Sequence, residues 1–186
     1  SDQITIGGAV TLRELSGNSA VAEHFAAVAQ AAGEVAGPSH REYGTVGGNL
    51  CLDTRCVFYN QSEWWRAANN YCLKYRGEIC HVAPGGKKCF AAFSGDVAPA
   101  LLLFDAEVEI AGPDGRRRMP LADLYRNDGM DHLTLRPGEL LVAIHVAKLT
   151  TSISSAPIAS AYAKSRIRGS IDFPLAGVAV AMAVAG

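Results

Sequence analysis

A single stretch, "CVFYNQSEWWRAANNYCLKYRGEICHVAPGGKKC" from Cys56 to Cys89, constrains the fold more than any other part of the chain. It holds four of the five cysteines, separated by 16, 8 and 9 positions, among aromatic and polar residues with few aliphatic ones. Such an excursion buries too little apolar area to offset its own ordering entropy, so a centre held by its side chains is the expected source of order. Thiolates are soft ligands that suit zinc or iron-sulfur chemistry, and four of them complete either coordination set. Structural zinc usually draws its thiolates in closely spaced pairs, which Cys56, Cys72, Cys80 and Cys89 do not form, whereas a cubane can take each thiolate from a separate loop. Spacing alone leaves both open. His81, beside Cys80, can in principle replace a thiolate, but four cysteines already fill the set. Trp64, Trp65, Tyr59 and Tyr71 are expected to shield such a centre and close a small core around it.

The remainder is ordinary by composition. At 186 residues the chain suits one generous domain or two small ones and can bury roughly 70% of its unfolded surface. A net charge of -1, with 49% hydrophobic and 19% charged residues, gives no electrostatic case for nucleic acid or a lipid surface. No run reaches the ~18 apolar residues of a membrane span, and "SDQITIGGAV" lacks the basic and apolar regions of a secretory signal, so the cytoplasm is the expected compartment. There disulfides are disfavoured, and an odd count of cysteines agrees. With no initial Met and an apolar end, the chain reads as a piece of a larger polypeptide.

Periodicity predicts a strand at "ITIGGAVTL" and a helix over "SAVAEHFAAVAQAAGEVAG", N-capped by Ser19 and stopped by Gly37 and Pro38. A loop, "PSHREYGTVGGNL", leads into the cysteine segment. "SGDVAPALLLF" reads as a short helix with Ser94 or Asp96 as cap. "AEVEIAGPDGRRRMPL" reads as a hairpin turning at Pro113-Asp114-Gly115, "LADLYRND" as a short helix and "GELLVAIHVAK" as a strand. A polar spacer, "LTTSISSAPIAS", precedes a region that suits two strands or a strand and a helix. The glycine loop "GTVGGN", from Gly44 to Asn49, offers successive backbone amides that can wrap an anion such as a pyrophosphate; the plainer alternative is a turn that needs positive φ.

"TVGGNL" after an Ala-rich helix, "SGDVAPALL", "GELLVAIHV" and "YAKSRIRGSIDFPLAGVAVA" resemble, in this order, the FAD-binding medium subunit or domain of the molybdenum hydroxylases, the xanthine dehydrogenase and carbon monoxide dehydrogenase family. The resemblance spans nearly the whole chain. It implies an α+β, PCMH-like second FAD subdomain over residues 1–148, then the start of an antiparallel C-terminal domain over 149–186, with the first FAD subdomain absent. In ordinary members a handful of residues separate the GGN motif from the Ser-Asp element, whereas Asn49 and Asp96 lie 47 positions apart. The insertion, residues 51–92, is similar to that of the beta subunits of 4-hydroxybenzoyl-CoA reductases, which carry an additional 4Fe-4S cluster. That similarity implies cluster ligation by Cys56, Cys72, Cys80 and Cys89, with Cys51 packing beside the flavin loop or near the insertion.

The same resemblance implies that FAD lies against Thr45, Val46, Gly47, Gly48 and Asn49, with Val35 near the isoalloxazine and Asp96, Leu141 and Lys164 as further contacts. Each of the last three has a plainer reading: a helix cap, sheet core and a solvated charge. The implied function is an electron relay. A partner chain with a molybdenum cofactor removes the phenolic hydroxyl of 4-hydroxybenzoyl-CoA, a small subunit carries 2Fe-2S clusters, and a ferredoxin-like protein donates electrons, in a dimer of heterotrimers. No substrate-transforming residue is identifiable in this chain. Two other readings stand beside it: the FAD subunit of another molybdenum hydroxylase whose thiols bind zinc or nothing, and a metal-stabilised assembly module that carries no electrons.

Overall fold

The computed structural model describes residues 3–147, 158–169 and 171–183, so residues 149–157 of the polar spacer lie outside the described residues. Along the chain run β1 (Gln3–Gly7), α1 (Leu12–Gly17), α2 (Ser19–His24), α3 (Ala26–Glu34), α4 (Pro38–Tyr43), α5 (Val46–Leu50), α6 (Glu63–Ala68) and α7 (Val97–Leu102). There follow β2 (Glu107–Gly112), β3 (Gly115–Pro120), a 3-10 turn (Leu121–Leu124), β4 (Leu140–Ala147), β5 (Ile158–Ser165) and β6 (Ala176–Ala183). The architecture is α+β with antiparallel sheets, as expected. These elements form two compact units: Ser1–Cys51, Gly95–Ala122 and Leu135–Gly186 make the first, Leu52–Ser94 and Asp123–Thr134 the second.

In the first unit, alternation sets the sheet. Val108 and Ile110 of β2 are fully buried while Glu107 and Glu109 point the other way, the period of two that a half-buried strand requires. β2 pairs with β3 through the predicted turn, where Gly115 adopts φ 108°, and with β4, which in turn pairs with β1, giving the order β1-β4-β2-β3. On the polar face Glu109 receives Arg116 at 2.8 Å and His145 at 3.0 Å, so its charge is neutralised within the sheet.

The predicted long helix is broken. Phe25, with φ -137° and ψ 50°, ends α2 and precedes α3, and its fully buried ring meets Phe104 edge-on at 5.1 Å. Leaving the helix at Phe25 interrupts the helical backbone but buries a large aromatic side chain against Phe104, the stronger of the two effects. The cap also differs from expectation: Asn18, not Ser19, accepts the amide of Val21 at 3.1 Å. Gly37 and Pro38 do not stop a helix but start α4, and the rest of the predicted loop forms α5. "LADLYRND" yields only a 3-10 turn. The C-terminal region resolves into two strands, β5 and β6, with Val178, Val180 and Met182 exposed on β6. No helix among the described residues is long and apolar enough to cross a membrane.

The second unit is mostly irregular. Its ends are joined by mutual backbone bonds between Arg55 and Ala92, and Ser62 caps α6 through the Trp65 amide at 3.2 Å. Arg66 stacks over Tyr75 at 4.5 Å and Tyr59 at 5.6 Å, and Phe58 packs near Trp65 and His81. Trp65 is thus part of a small core as expected, but Trp64 is 78% exposed and shields nothing. On a six-residue helix only one side can face inward, and Trp65 takes it.

Phe25→Ala removes a fully buried ring from the first unit, and is expected to cost about 3–5 kcal/mol in urea unfolding. A loss below about 1 kcal/mol would mean that the helix break does not serve packing.

Candidate functional site

The predicted glycine nest is a short helix. Thr45 caps α5 by accepting the Gly48 amide on Oγ1 at 3.1 Å, so Gly47 and Gly48 lie inside helical backbone rather than in a positive-φ turn. The amides that a nest would aim at an anion are engaged: Val46 donates to Val10, Gly47 to Gly8 and Asn49 to Thr45, each at 2.9 Å. The glycines serve close approach instead. A Cβ on Gly47 would stand 2.8 Å from the carbonyl oxygen of Gly8, and one on Gly8 would stand 2.5 Å from that of Leu141. With side chains absent, Thr45, Gly47, Gly48, Gly8, Ala9 and Leu141 line an open, largely apolar cavity of about 580 Å³. That is the size and character of a small-molecule site. Cys51 also lines this cavity, and burial pushes its thiol up.

Four predicted flavin contacts therefore converge here: Thr45, Gly47, Gly48 and Leu141. Val46 and Asn49 lie buried behind them. Asn49 Oδ1 accepts the Val97 amide at 3.1 Å and so caps α7, a role the sequence suggested for Ser94 or Asp96. Val35 is the C-cap of α3, its carbonyl accepting from Arg41 at 2.8 Å.

Asp96 and Lys164 are brought together, but not among the residues lining this cavity. Lys164 Nζ lies 2.9 Å from Asp96 Oδ2, with side chains 1% and 4% exposed, and also donates to the Glu34 carbonyl at 3.1 Å. The Tyr162 hydroxyl donates to Asp96 Oδ1 at 2.8 Å. Burial pushes the Asp96 carboxyl up against the pull of Lys164 and Tyr162, and burial with the Asp96 charge pushes the Tyr162 phenol up. Lys164 is thus no solvated charge. Sequence reasoning missed Tyr162 and Gly8; the paired glycines of "ITIGGAVTL" were the available signal for the latter.

In the second unit Cys56, Cys72, Cys80 and Cys89 all line one small cavity, together with Phe58, Tyr59, Leu73, Lys74 and His81. Cys72, Cys80 and Cys89 are buried, Cys56 is half-buried, and all four are free thiols. Ala91 donates its amide to Cys89 Sγ at 3.4 Å. Burial raises the Cys80 thiol, but the nearby backbone amides of Phe90, Ala83 and Val82 and the Cys89 thiol bring it below its ordinary range. His81 is occupied by the Tyr71 carbonyl at 2.5 Å, which argues against a ligand role for that nitrogen. Among the described residues no three His, Cys, Asp or Glu side chains are grouped to hold a metal ion. The cavity measures about 10 Å³, room for about one water.

Residues 1–148 match the family described as the FAD binding domain in molybdopterin dehydrogenase. The chain is 32% identical over 185 residues to the aldehyde oxidoreductase FAD-binding subunit PaoB of Escherichia coli (strain K12), covering 95% of this chain and 56% of that protein. It is 26% identical over 176 residues to a xanthine dehydrogenase FAD-binding subunit of Escherichia coli O157:H7, covering 95% and 45%. The chain thus spans about half the length of these relatives. Its fold is similar to a chain of the Cu,Mo-CO dehydrogenase crystal structure, with a TM-score of 0.67 at 22% identity, covering 100% of this chain and 49% of that one. Quinoline 2-oxidoreductase from Pseudomonas putida 86 gives 0.66 at 16% identity, covering 100% and 48%. The glycine-walled cavity of the first unit accordingly sits in a chain that belongs to the family of FAD binding domains of molybdopterin dehydrogenases.

Proposed function

We propose that this chain is the FAD-binding, electron-carrying part of a cytoplasmic molybdenum-containing oxidoreductase, and that its four gathered thiols hold a 4Fe-4S centre. One observation carries the second half: Cys56, Cys72, Cys80 and Cys89 lie outside regular helices and strands, yet all line one cavity. The donor set fits iron-sulfur chemistry, with soft thiol ligands and backbone amides directed at sulfur. Seating four irons requires the loops to part, because the cavity is about 10 Å³, and a chain without regular structure at each thiol can give in this way.

FAD exchanges one or two electrons and an iron-sulfur centre one at a time, so such a subunit links a one-electron donor to two-electron chemistry elsewhere. Within this chain, Gly47 and Gly48 leave the wall bare, Thr45 and Leu141 border it, and Val46 and Asn49 hold α5 in place from behind. Val35, Asp96 and Lys164 complete the proposed flavin-contacting set, the last two as a charge pair. Substrate chemistry belongs to a partner with the molybdenum cofactor, beside a 2Fe-2S subunit. Reduction of 4-hydroxybenzoyl-CoA with electrons from a ferredoxin-like donor is one reading, supported by the likeness of the insertion. Aldehyde oxidation is the second, favoured by the 32% identity to an aldehyde oxidoreductase subunit.

Metal, acid-labile sulfide and flavin analysis of the anaerobically purified full-length complex tests the proposal, and turnover assays with 4-hydroxybenzoyl-CoA and aromatic aldehydes separate the two substrates. About four irons beyond those of the 2Fe-2S subunit are expected; zinc, or no extra iron, would sink the cluster. Cys72→Ser should remove this iron and leave the flavin in place. Gly47→Ala should do the reverse, since its methyl would meet the Gly8 carbonyl: a cost of about 1–3 kcal/mol and lowered flavin content with iron retained. Full flavin content in that variant would exclude α5 from the flavin site.

A further inference from the structure

One buried cation faces the cysteine cavity. Lys74 lines it, and its side chain is only 6% exposed. The ammonium uses all three protons: it donates to Asp53 Oδ1 at 2.7 Å, Thr54 Oγ1 at 2.5 Å and the Gly129 carbonyl at 2.9 Å, and it lies 5.1 Å from the Tyr59 ring centroid. Its carboxylate partner is placed differently. The Asp53 side chain is 63% exposed, so water screens its charge while the ammonium sits in the poorly screened interior. The pair is therefore a dipole whose buried, positive end belongs to a residue that lines the cysteine cavity.

We propose that Lys74 is a positioning residue that tunes the redox potential of the centre bound by Cys56, Cys72, Cys80 and Cys89, favouring its reduced form; this rests on the iron-sulfur reading above. One electron, delivered by the external one-electron donor, makes a thiolate-ligated cluster one unit more negative, with no bond made or broken and no proton required. A fixed positive charge beside the cavity stabilises that added charge more than it stabilises the oxidised centre. Hydrogen bonding, burial and local charge are the levers by which a protein sets such potentials.

The test is EPR-monitored redox titration of the anaerobically purified full-length complex, with iron content measured on the same samples. Lys74→Met should retain iron and shift the oxidised-to-reduced ratio at fixed potential at least tenfold toward oxidised, which is a midpoint about 59 mV lower for one electron. Lys74→Arg, which keeps the charge, should stay near the parent value. Asp53→Asn, which removes the screened counter-charge and leaves Lys74 in place, should move the midpoint upward. Iron retained with an unmoved or raised midpoint in Lys74→Met overturns the proposal alone. Absence of cluster iron from the parent complex removes the iron-sulfur reading and this proposal with it. If Lys74→Met loses its iron, Asp53→Asn decides: a rise supports the assignment and no rise overturns it.

Discussion

The first unit depends on one close backbone approach. Val46 and Gly47 donate to the carbonyls of Val10 and Gly8, both at 2.9 Å, seating α5 against the turn after β1. The Gly8 amide meanwhile donates to Val142 at 2.8 Å, which ties the same turn to the sheet. Both approaches need a glycine, since a Cβ on Gly47 would fall 2.8 Å from the Gly8 carbonyl oxygen and one on Gly8 would fall 2.5 Å from that of Leu141. The cavity wall follows from this contact. Because the donors of α5 are spent on the fold, recognition there must rely on shape, on the Thr45 hydroxyl and on apolar contact with Leu141, rather than on a ring of free amides.

The same geometry shows how the chain spans the 47 positions from Asn49 to Asp96. Asn49 Oδ1 takes the Val97 amide, so the residues flanking this segment are bonded to each other whatever lies between them. Asp96 then anchors the far side through Lys164 and Tyr162. Closing a longer loop costs little more than closing a shorter one, because the entropic cost grows only with the logarithm of its length. The buried pair is specific rather than cheap. Two desolvated charges are held by one another, by a tyrosine hydroxyl and by the Glu34 carbonyl, and loss of either partner leaves an uncompensated charge that costs about 3–5 kcal/mol.

Much of this was legible in the sequence, and what was not has physical causes. The hairpin, the strand Leu140–Ala147 and the short helix after Asp96 follow from alternation and turn chemistry, which are local. The break at Phe25 was not legible, because helix periodicity is satisfied on both sides and only Phe104, distant in sequence, decides it. The glycines stood out in the sequence, but composition cannot distinguish a nest from a close approach without the opposing backbone. Asp96 and Lys164 stood out separately. Their pairing, and the part of Tyr162, required the register of β5 against the helices.

The cysteines were legible as a set because their meaning is chemical rather than geometric. Burial and the neighbouring charge of Cys80 push the Cys89 thiol up. Yet donors lie near the sulfurs: backbone amides bring the Cys80 thiol down, the Ala91 amide reaches Cys89 Sγ, and the buried Lys74 lines the cavity. Donors aimed at neutral thiols would contribute little. They gain strength where the sulfur carries charge. The aromatic and arginine stack around Tyr59, Arg66 and Tyr75 supplies order, and the four thiols and Lys74 line a cavity of about 10 Å³ beside Phe58, Tyr59, Leu73 and His81.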